Sequence, residues 1–278
     1  MEHLLLLFVA ILFSWHPGFR HLGALSLLGF LIVALHAGLI EPVGLMMVGL
    51  IGAVIYLARQ RSLATWLRFL LLLPATAAGC LAMRHFLPGF HNPRLLEGIS
   101  LSPISAPFTL YANIDSAMLG ILILLIAGKD LILQNTVRDS FKVGLVALFS
   151  SLFVLLPLAL AIGFLKFDPK LPQEAWLWMM VNLGIVCLTE EAFYRGFVLR
   201  ELRSFTRSRW SQNLIFLAVN VLFAVMHYPA GPKMMLLSFV AGLFYAAAYV
   251  RTRSLEASVF CHFGVNATRF FLFAYPSL

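Results

Sequence analysis

The sequence is short of charge and of paired cysteines, and both shortages limit the class of protein it can be. Only 12% of its 278 residues are charged, whereas 61% are hydrophobic. An average soluble domain has about 25% charged residues, so this chain lacks the polar shell that a soluble globule needs. Its cysteines, Cys80, Cys187 and Cys261, lie in apolar segments without paired spacing, which argues against a disulfide scaffold or a thiolate metal cage.

The apolar residues are instead gathered into blocks long enough to cross a bilayer. A helix needs about 20 residues to cross the hydrocarbon core, where every backbone polar group must be satisfied within its own segment. The sequence therefore predicts an all-α fold, a polytopic transmembrane helical bundle of eight to ten spans, with a loop or re-entrant cap over residues 88–113. The predicted segments are 3–15, 22–40, 43–58, 67–87, 114–128, 142–165, 175–203, 210–228, 234–250 and 255–275.

The net charge of +8 does not indicate nucleic-acid binding. Most of the lysines and arginines lie in loops between apolar blocks, and one set of alternate loops holds the larger share of them. This asymmetry is how membrane topology is encoded, and it places the 200–209 loop in the cytoplasm. We therefore expect the lipid bilayer as a partner and no nucleic acid.

One apolar helix, over residues 176–202, carries three charged side chains near its middle: Glu190, Glu191 and Arg195. A charge at that depth costs at least about 2.5–3.5 kcal/mol, so each needs a reason to be there. Glu191 and Arg195 are four residues apart and share a helix face, which predicts an ion pair. Glu190 points about 100° away and is left facing the bundle interior, where a carboxylate suits a general base.

Two later helices carry further polar side chains. Asn220, Phe223 and His227 form one stripe, and His262 and Asn266 share the face of another helix. Taken singly, a histidine near the end of a span is more often interfacial, and an asparagine within a span usually links helices. Their occurrence together, on late helices that also hold the two glutamates, favours a functional site.

Helix depth predicts that Glu190 and His227 can meet. If the chain turns near residues 205–209, the two residues lie about 14 and 18 positions from that turn. At about 1.5 Å per residue their depths agree to within roughly 6 Å, which helix tilt can absorb.

These residues form an ordered set of motifs that resembles a known family. Glu-Glu-x-x-x-Arg runs from Glu190 to Arg195, Phe-x-x-x-His from Phe223 to His227, and His-x-x-x-Asn from His262 to Asn266. The set resembles the CAAX-protease and bacteriocin-processing (CPBP or ABI) family of intramembrane endopeptidases, which are Ras-converting-enzyme-like, and in particular its bacterial members. The resemblance covers roughly residues 142–275. It implies a protease core over 114–278, after an N-terminal transmembrane region, 1–113, without diagnostic motifs.

The resemblance also implies a role for each motif residue. Glu190 would act as general base on the attacking water with help from His227, and His262 and Asn266 would donate hydrogen bonds to the oxyanion. Glu191 and Arg195 would be the supporting pair. The implied enzyme is a glutamic-type protease without a cofactor, located in the bacterial inner (plasma) membrane. Its partner would be a membrane-associated protein or peptide substrate, with cleavage near the substrate's C-terminus as one option.

Alternatives remain at this point. Glu190, His227 and His262 could together bind one zinc ion, although the His-Glu-x-x-His helix of common zinc peptidases is absent from the sequence. A non-catalytic scaffold or immunity protein on the same fold would need no water-activating Glu190. A proton-coupled transporter could use that glutamate, but the sequence shows no inverted repeat.

Overall fold

The computed structural model describes residues 2–276, apart from the side chains of Glu2 and His3, and contains ten helices and one short hairpin in that part of the chain. Each helix overlaps one of the ten predicted apolar segments, which confirms the helical-bundle fold. The helices are α1 (Glu2–Trp15), α2 (Arg20–His36), α3 (Pro42–Arg59), α4 (Thr65–Met83), α5 (Ile114–Ala127), α6 (Val137–Ala161), α7 (Ala175–Arg203), α8 (Arg209–Val225), α9 (Gly231–Thr252) and α10 (Leu255–Leu272).

Six helical segments of the described chain are long and apolar enough to cross a membrane. Two further apolar helices, Leu4–Trp15 and Arg209–Val225, are shorter. By length and composition the chain is therefore an integral, multi-pass membrane protein. The six long segments are Pro17–His36, Pro42–Arg59, Thr65–Met83, Val137–Ala161, Ala175–Arg203 and Tyr228–Thr252.

The chain divides into two compact units. The first comprises residues 2–93, 113–132 and 184–215. Within it α1 packs against α2 and α3 against α4, while α5 contacts α1, α3, α4 and the second half of α7. Because α5 is buried around nearly its whole circumference, it forms the centre of this unit.

The second unit comprises residues 94–112, 133–183 and 216–276. Here α6 packs against α9 and α10, which also pack against each other. The Thr136 side chain caps the start of α6 by accepting a hydrogen bond from the Asp139 backbone N–H at 3.1 Å. Pro157 lies inside α6, a position that membrane helices tolerate better than soluble ones.

The predicted loop over residues 88–113 holds an antiparallel hairpin, which the sequence interpretation missed. Strand β1 (Arg94–Ile99) pairs with β2 (Phe108–Tyr111), and the register slips at two points between Arg94 and Ile99. The aromatic and β-branched residues of Phe108–Tyr111 are the signal that could have revealed the second strand.

Candidate functional site

The helix that carries the glutamates is not a regular α-helix. Within α7, π-helical turns at Asn182–Cys187 and Ala192–Leu199 flank a short α-helical segment, Leu188–Glu191. π-turns are rare and are often found at functional sites, because the extra residue in the turn redirects the side chains around it. The two glutamates therefore lie at the junction of two irregular turns.

Glu191 and Arg195 form a buried ion pair in the first unit. Their side chains are 0% and 1% exposed, and Arg195 Nη1 donates to Glu191 Oε1 at 3.1 Å. The guanidinium also lies over the ring of Tyr194, with its central carbon 5.8 Å from the ring centroid. Since a buried charge must be matched by its surroundings, this pair fixes both side chains on α7.

Two glycines let neighbouring helices approach α7 closely. A Cβ atom added at Gly120 of α5 would lie 2.5 Å from Thr189 Oγ1 and 3.1 Å from Thr189 Cα. One added at Gly79 of α4 would lie 2.1 Å from the ring of Phe193. Small residues at such contacts are a general means of close helix packing in membranes, and here they hold the glutamate-bearing turn of α7 in place. Glu190 itself is partly buried.

In the second unit, His227 has a defined tautomer. The residue lies two positions past the end of α8, and its Nδ1 is 2.8 Å from the carbonyl oxygen of Phe223. A carbonyl oxygen only accepts hydrogen bonds, so Nδ1 carries the proton. In the neutral ring the lone pair is therefore on Nε2, which can accept a proton or hydrogen-bond a water.

His262 is held by an aromatic cluster. Its side chain is almost fully buried, and its ring stacks on Tyr245 with a centroid distance of 4.4 Å and an interplanar angle of 16°. Phe223 lies edge-on to both histidines, with centroid distances of 4.8 Å to His227 and 6.1 Å to His262. Tyr245 could not be predicted as a site residue from the sequence, because one tyrosine in an apolar helix belongs to no motif.

Asn266 is linked to another helix through a second asparagine. Its Nδ2 donates to Asn182 Oδ1 at 3.3 Å, and Asn182 lies where the first π-turn of α7 begins. Nearby, Trp178 stacks on Phe270 with centroids 4.0 Å apart, which joins the start of α7 to α10. Asn220, by contrast, donates to the Phe216 carbonyl of its own helix at 2.8 Å. The Asn182–Asn266 hydrogen bond therefore links two helices, whereas that of Asn220 to Phe216 stays within one.

A pocket lies among these residues, and every residue that lines it belongs to the second unit. It contains about 640 Å³ of space not filled by atoms, a volume that includes the open solvent at its mouth. His227, His262 and Asn266 contribute polar groups, and α6 and α9 contribute an apolar wall. The arrangement can bind an apolar side chain beside a small set of hydrogen-bonding groups.

A protein metal site needs three or more ligating side chains close together. Among the residues that the structure describes, neither unit holds a group of three histidine, cysteine, aspartate or glutamate side chains able to bind a metal ion. The hydrogen bond from His227 Nδ1 to a backbone carbonyl is also found in zinc-bound histidines, so that ring suits either role. The described residues of either unit therefore do not fit a metal ion by themselves.

The predicted site residues thus form two groups. Glu190, Glu191 and Arg195 belong to the first unit, whereas His227, His262 and Asn266 lie together around the pocket of the second. That Glu190 and His227 act on the same water stays a prediction.

Comparison with protein-family models gives one finding. Residues 172–268, about a third of the chain, match the type II CAAX prenyl endopeptidase Rce1-like family. The match includes all three motifs and confirms the resemblance to CAAX-type proteases. It implies that the chain is a membrane protease acting on protein substrates in a lipid bilayer. No curated protein and no solved structure matches the chain.

Proposed function

We propose that this protein is an intramembrane endopeptidase in which Glu190 activates a water to hydrolyse peptide bonds of membrane-associated proteins. The observation that carries the proposal is the pocket of the second unit, where three of the motif residues, His227, His262 and Asn266, line one cavity with an apolar wall. Amide hydrolysis in a membrane needs such a cavity, because water and a polar transition state must be shielded from lipid.

The proposed reaction begins with proton transfer from water to the Glu190 carboxylate. The water oxygen attacks the scissile carbonyl carbon, and His227 orients that water through the lone pair of Nε2. The resulting oxyanion accepts hydrogen bonds from Asn266 Nδ2 and from His262, and such stabilisation is usually the largest catalytic contribution. The intermediate then collapses, the C–N bond breaks, and the proton held by Glu190 passes to the leaving amine.

The surrounding contacts are consistent with these roles. Asn182 contacts Asn266 at 3.3 Å and Tyr245 stacks on His262, so both oxyanion donors are oriented before substrate binds. Arg195 holds Glu191 in an ion pair, which suits Glu191 to a supporting role, and we assign proton transfer to Glu190. Preorganised donors lose little free energy to reorganisation when the oxyanion forms.

We further propose that the enzyme needs no metal ion, resides in a bacterial inner membrane and cleaves near the C-terminus of its substrates. Chelation should therefore leave activity unchanged. Loss of activity under a chelator, with recovery on added zinc, would favour the hypothesis that Glu190, His227 and His262 bind zinc.

The test compares the terminal peptides of membrane proteins from cells that express the wild type or Glu190→Gln at matched levels. New termini should appear only with the wild type. Glu97→Gln is the matched control, because it makes the same chemical change at an exposed glutamate of strand β1. Identical peptide sets for wild type and Glu190→Gln would exclude the protease mechanism and favour a non-catalytic scaffold.

A further inference from the structure

The first unit carries a network of arginines at one end of its helices, which the proposed reaction does not use. At the centre of this network is Glu201, near the end of α7, whose side chain is 1% exposed. Arg59, the last residue of α3, donates to Glu201 Oε1 at 2.7 Å, and Arg68 of α4 donates to Oε2 at 3.1 Å. Arg61, between α3 and α4, lies 3.4 Å from Oε2. Three arginines are more than one buried carboxylate needs for its charge to be matched.

The network extends to a second carboxylate, Asp130, which follows α5. Arg59 Nη2 donates to Asp130 Oδ2 at 2.7 Å, and Arg200 Nη2 lies 3.4 Å from the same oxygen. Arg200 Nη1 also donates to the backbone carbonyl of Asp130 at 2.7 Å. The ion pairs of the network thus join four arginines to two carboxylates. Since arginine stays protonated, the network keeps two positive charges in excess even when both carboxylates are ionised.

The arginine network lies at the depth where a bilayer presents its headgroups. Three long apolar segments end or begin beside it: one ends at Arg59, the next begins at Thr65, and another ends at Arg203. Two tryptophans at these helix ends are largely exposed, Trp66 in the first turn of α4 and Trp210 in the first turn of α8. Tryptophan is enriched at membrane–water interfaces, where its ring sits at headgroup level. The excess charge therefore faces the headgroups of one leaflet.

Two members of the network, Arg61 and Arg200, are placed to bind a further anion. Their side chains are 54% and 29% exposed, whereas those of Arg59 and Arg68 are largely buried. Arg61 Nη1 donates to Ser204 Oγ at 2.8 Å, so its guanidinium is held in position, as is that of Arg200 by Asp130. A guanidinium presents N–H donors in a planar fork that matches phosphate geometry. Donors that the protein already holds lose little freedom on binding.

We propose that this network binds the headgroup of an anionic phospholipid, and that Arg61 and Arg200 contact its phosphate. Basic pockets between transmembrane helices bind anionic headgroups in other membrane proteins. A zwitterionic lipid gains less at such a site, because it carries its own cation beside the phosphate.

The surface of α4 beside the network favours a lipid over a soluble phosphate. Phe69, Leu70 and Leu73 are exposed there, and they offer an apolar surface to the acyl chains of a lipid held by its headgroup. The site uses none of the proposed catalytic residues. Its failure would therefore leave the protease proposal untouched, and loss of the protease proposal would leave the lipid site untouched.

Lipid binding to the full chain, purified and delipidated in neutral detergent micelles, tests the proposal. Native mass spectrometry gives the dissociation constants of dioleoylphosphatidylglycerol and dioleoylphosphatidylcholine, which have the same acyl chains and differ in headgroup charge. Each arginine near a lipid surface strengthens the binding of an anionic lipid about fivefold, so two charges in excess predict a preference of about 30-fold. Equal dissociation constants for the two lipids would overturn the proposal.

Substitutions assign the preference to the two exposed arginines. In Arg61→Gln/Arg200→Gln the preference should fall to about one, while Arg59 still pairs with Glu201 and Asp130 and holds the helix ends together. Each single substitution should lower the preference about fivefold, which keeps the test decisive if the double variant does not fold. The corresponding double lysine variant keeps the charge without the fork and should retain part of the preference.

The control removes the same charge elsewhere. Arg138→Gln/Arg251→Gln replaces two exposed arginines of the second unit, at the start of α6 and the end of α9. Its lipid preference should equal that of the wild type. A preference that persists in Arg61→Gln/Arg200→Gln, or that falls equally in the control, would refute the assignment to this network.

Thermal melts in the same micelles separate a lipid from a soluble anion. A ligand that binds only the folded protein raises its Tm, so phosphatidylglycerol should raise it more in the wild type than in Arg61→Gln/Arg200→Gln. Inorganic phosphate should have no more effect than chloride at the same ionic strength. If inorganic phosphate raises the Tm as much and abolishes the effect of the lipid, the network binds a soluble anion and the lipid proposal is overturned.

Discussion

The buried pair of Glu191 and Arg195 provides the most direct test of how α7 is held. Replacing Arg195 by methionine removes the cation and leaves an unbranched, apolar side chain that also has a high helix propensity. The Glu191 carboxylate, 0% exposed, would then be left without the guanidinium that donates to it at 3.1 Å. Removing one partner of a buried ion pair costs about 3–5 kcal/mol, so the free energy of unfolding should fall by that amount.

A double substitution distinguishes the pair from simple packing. In Glu191→Leu/Arg195→Met both charges are gone, and no carboxylate remains to be desolvated. We expect this variant to recover most of the lost stability, since apolar replacement of a whole buried pair is often neutral or stabilising. The coupling energy between the two positions, obtained from the wild type, the single variants Glu191→Leu and Arg195→Met, and the double variant, should therefore be large.

Unfolding of the purified protein by SDS in mixed micelles, followed by circular dichroism, gives the four free energies. Arg94→Met is the control, because the Arg94–Glu97 pair has side chains 55% and 67% exposed and its loss should not be measurable. The reasoning fails if Arg195→Met is within about 1 kcal/mol of the wild type, or if the double variant is no more stable than the single one.

Two further predictions concern packing and pH. Gly120→Ala should lower the free energy of unfolding by about 1–3 kcal/mol, because the new Cβ would meet Thr189, whereas Gly49→Ala, with open space around it, should not. Burial alone would raise the pKa of Asp168, but hydrogen bonds from Ser102 and Lys170 outweigh it and hold that pKa below its usual value of 3.8. The wild type should thus be more stable than Asp168→Asn above about pH 4, and thermal melts should show this advantage vanish as the pH falls through the lowered pKa.

Composition and periodicity were enough to predict the helices and the charged pair. A run of apolar residues has few alternatives to a helix in lipid, and each of the ten predicted segments overlaps a helix. The Glu191–Arg195 contact was also predictable, because residues four apart on a helix share a face and opposite charges at bilayer depth must meet.

The features that the sequence did not predict depend on tertiary contacts. The π-turns of α7 insert a residue into a helical turn without any change in the kind of residue present, so the hydrophobic pattern does not show them. Tyr245 stacks on His262, yet nothing distinguishes it in the sequence from the other aromatic residues of apolar helices. The sequence places Arg269 among the cations that flank a span, and only the structure shows that it also lines the pocket of the second unit.

The proposed mechanism requires that Glu190 and His227 act on the same water. This requirement rests on the similar depths predicted for the two residues along their helices. We therefore expect cysteines at these two positions, with Cys80, Cys187 and Cys261 replaced by alanine, to be joined by a short bismaleimide or by mild oxidation. A disulfide requires Cα atoms within about 7 Å, so the oxidised product would be the stronger result. Each single-cysteine protein serves as a control and should show no internal cross-link. If both cysteines react with a monofunctional maleimide but neither route joins them, the two residues do not share a water and Glu190 needs a different proton partner.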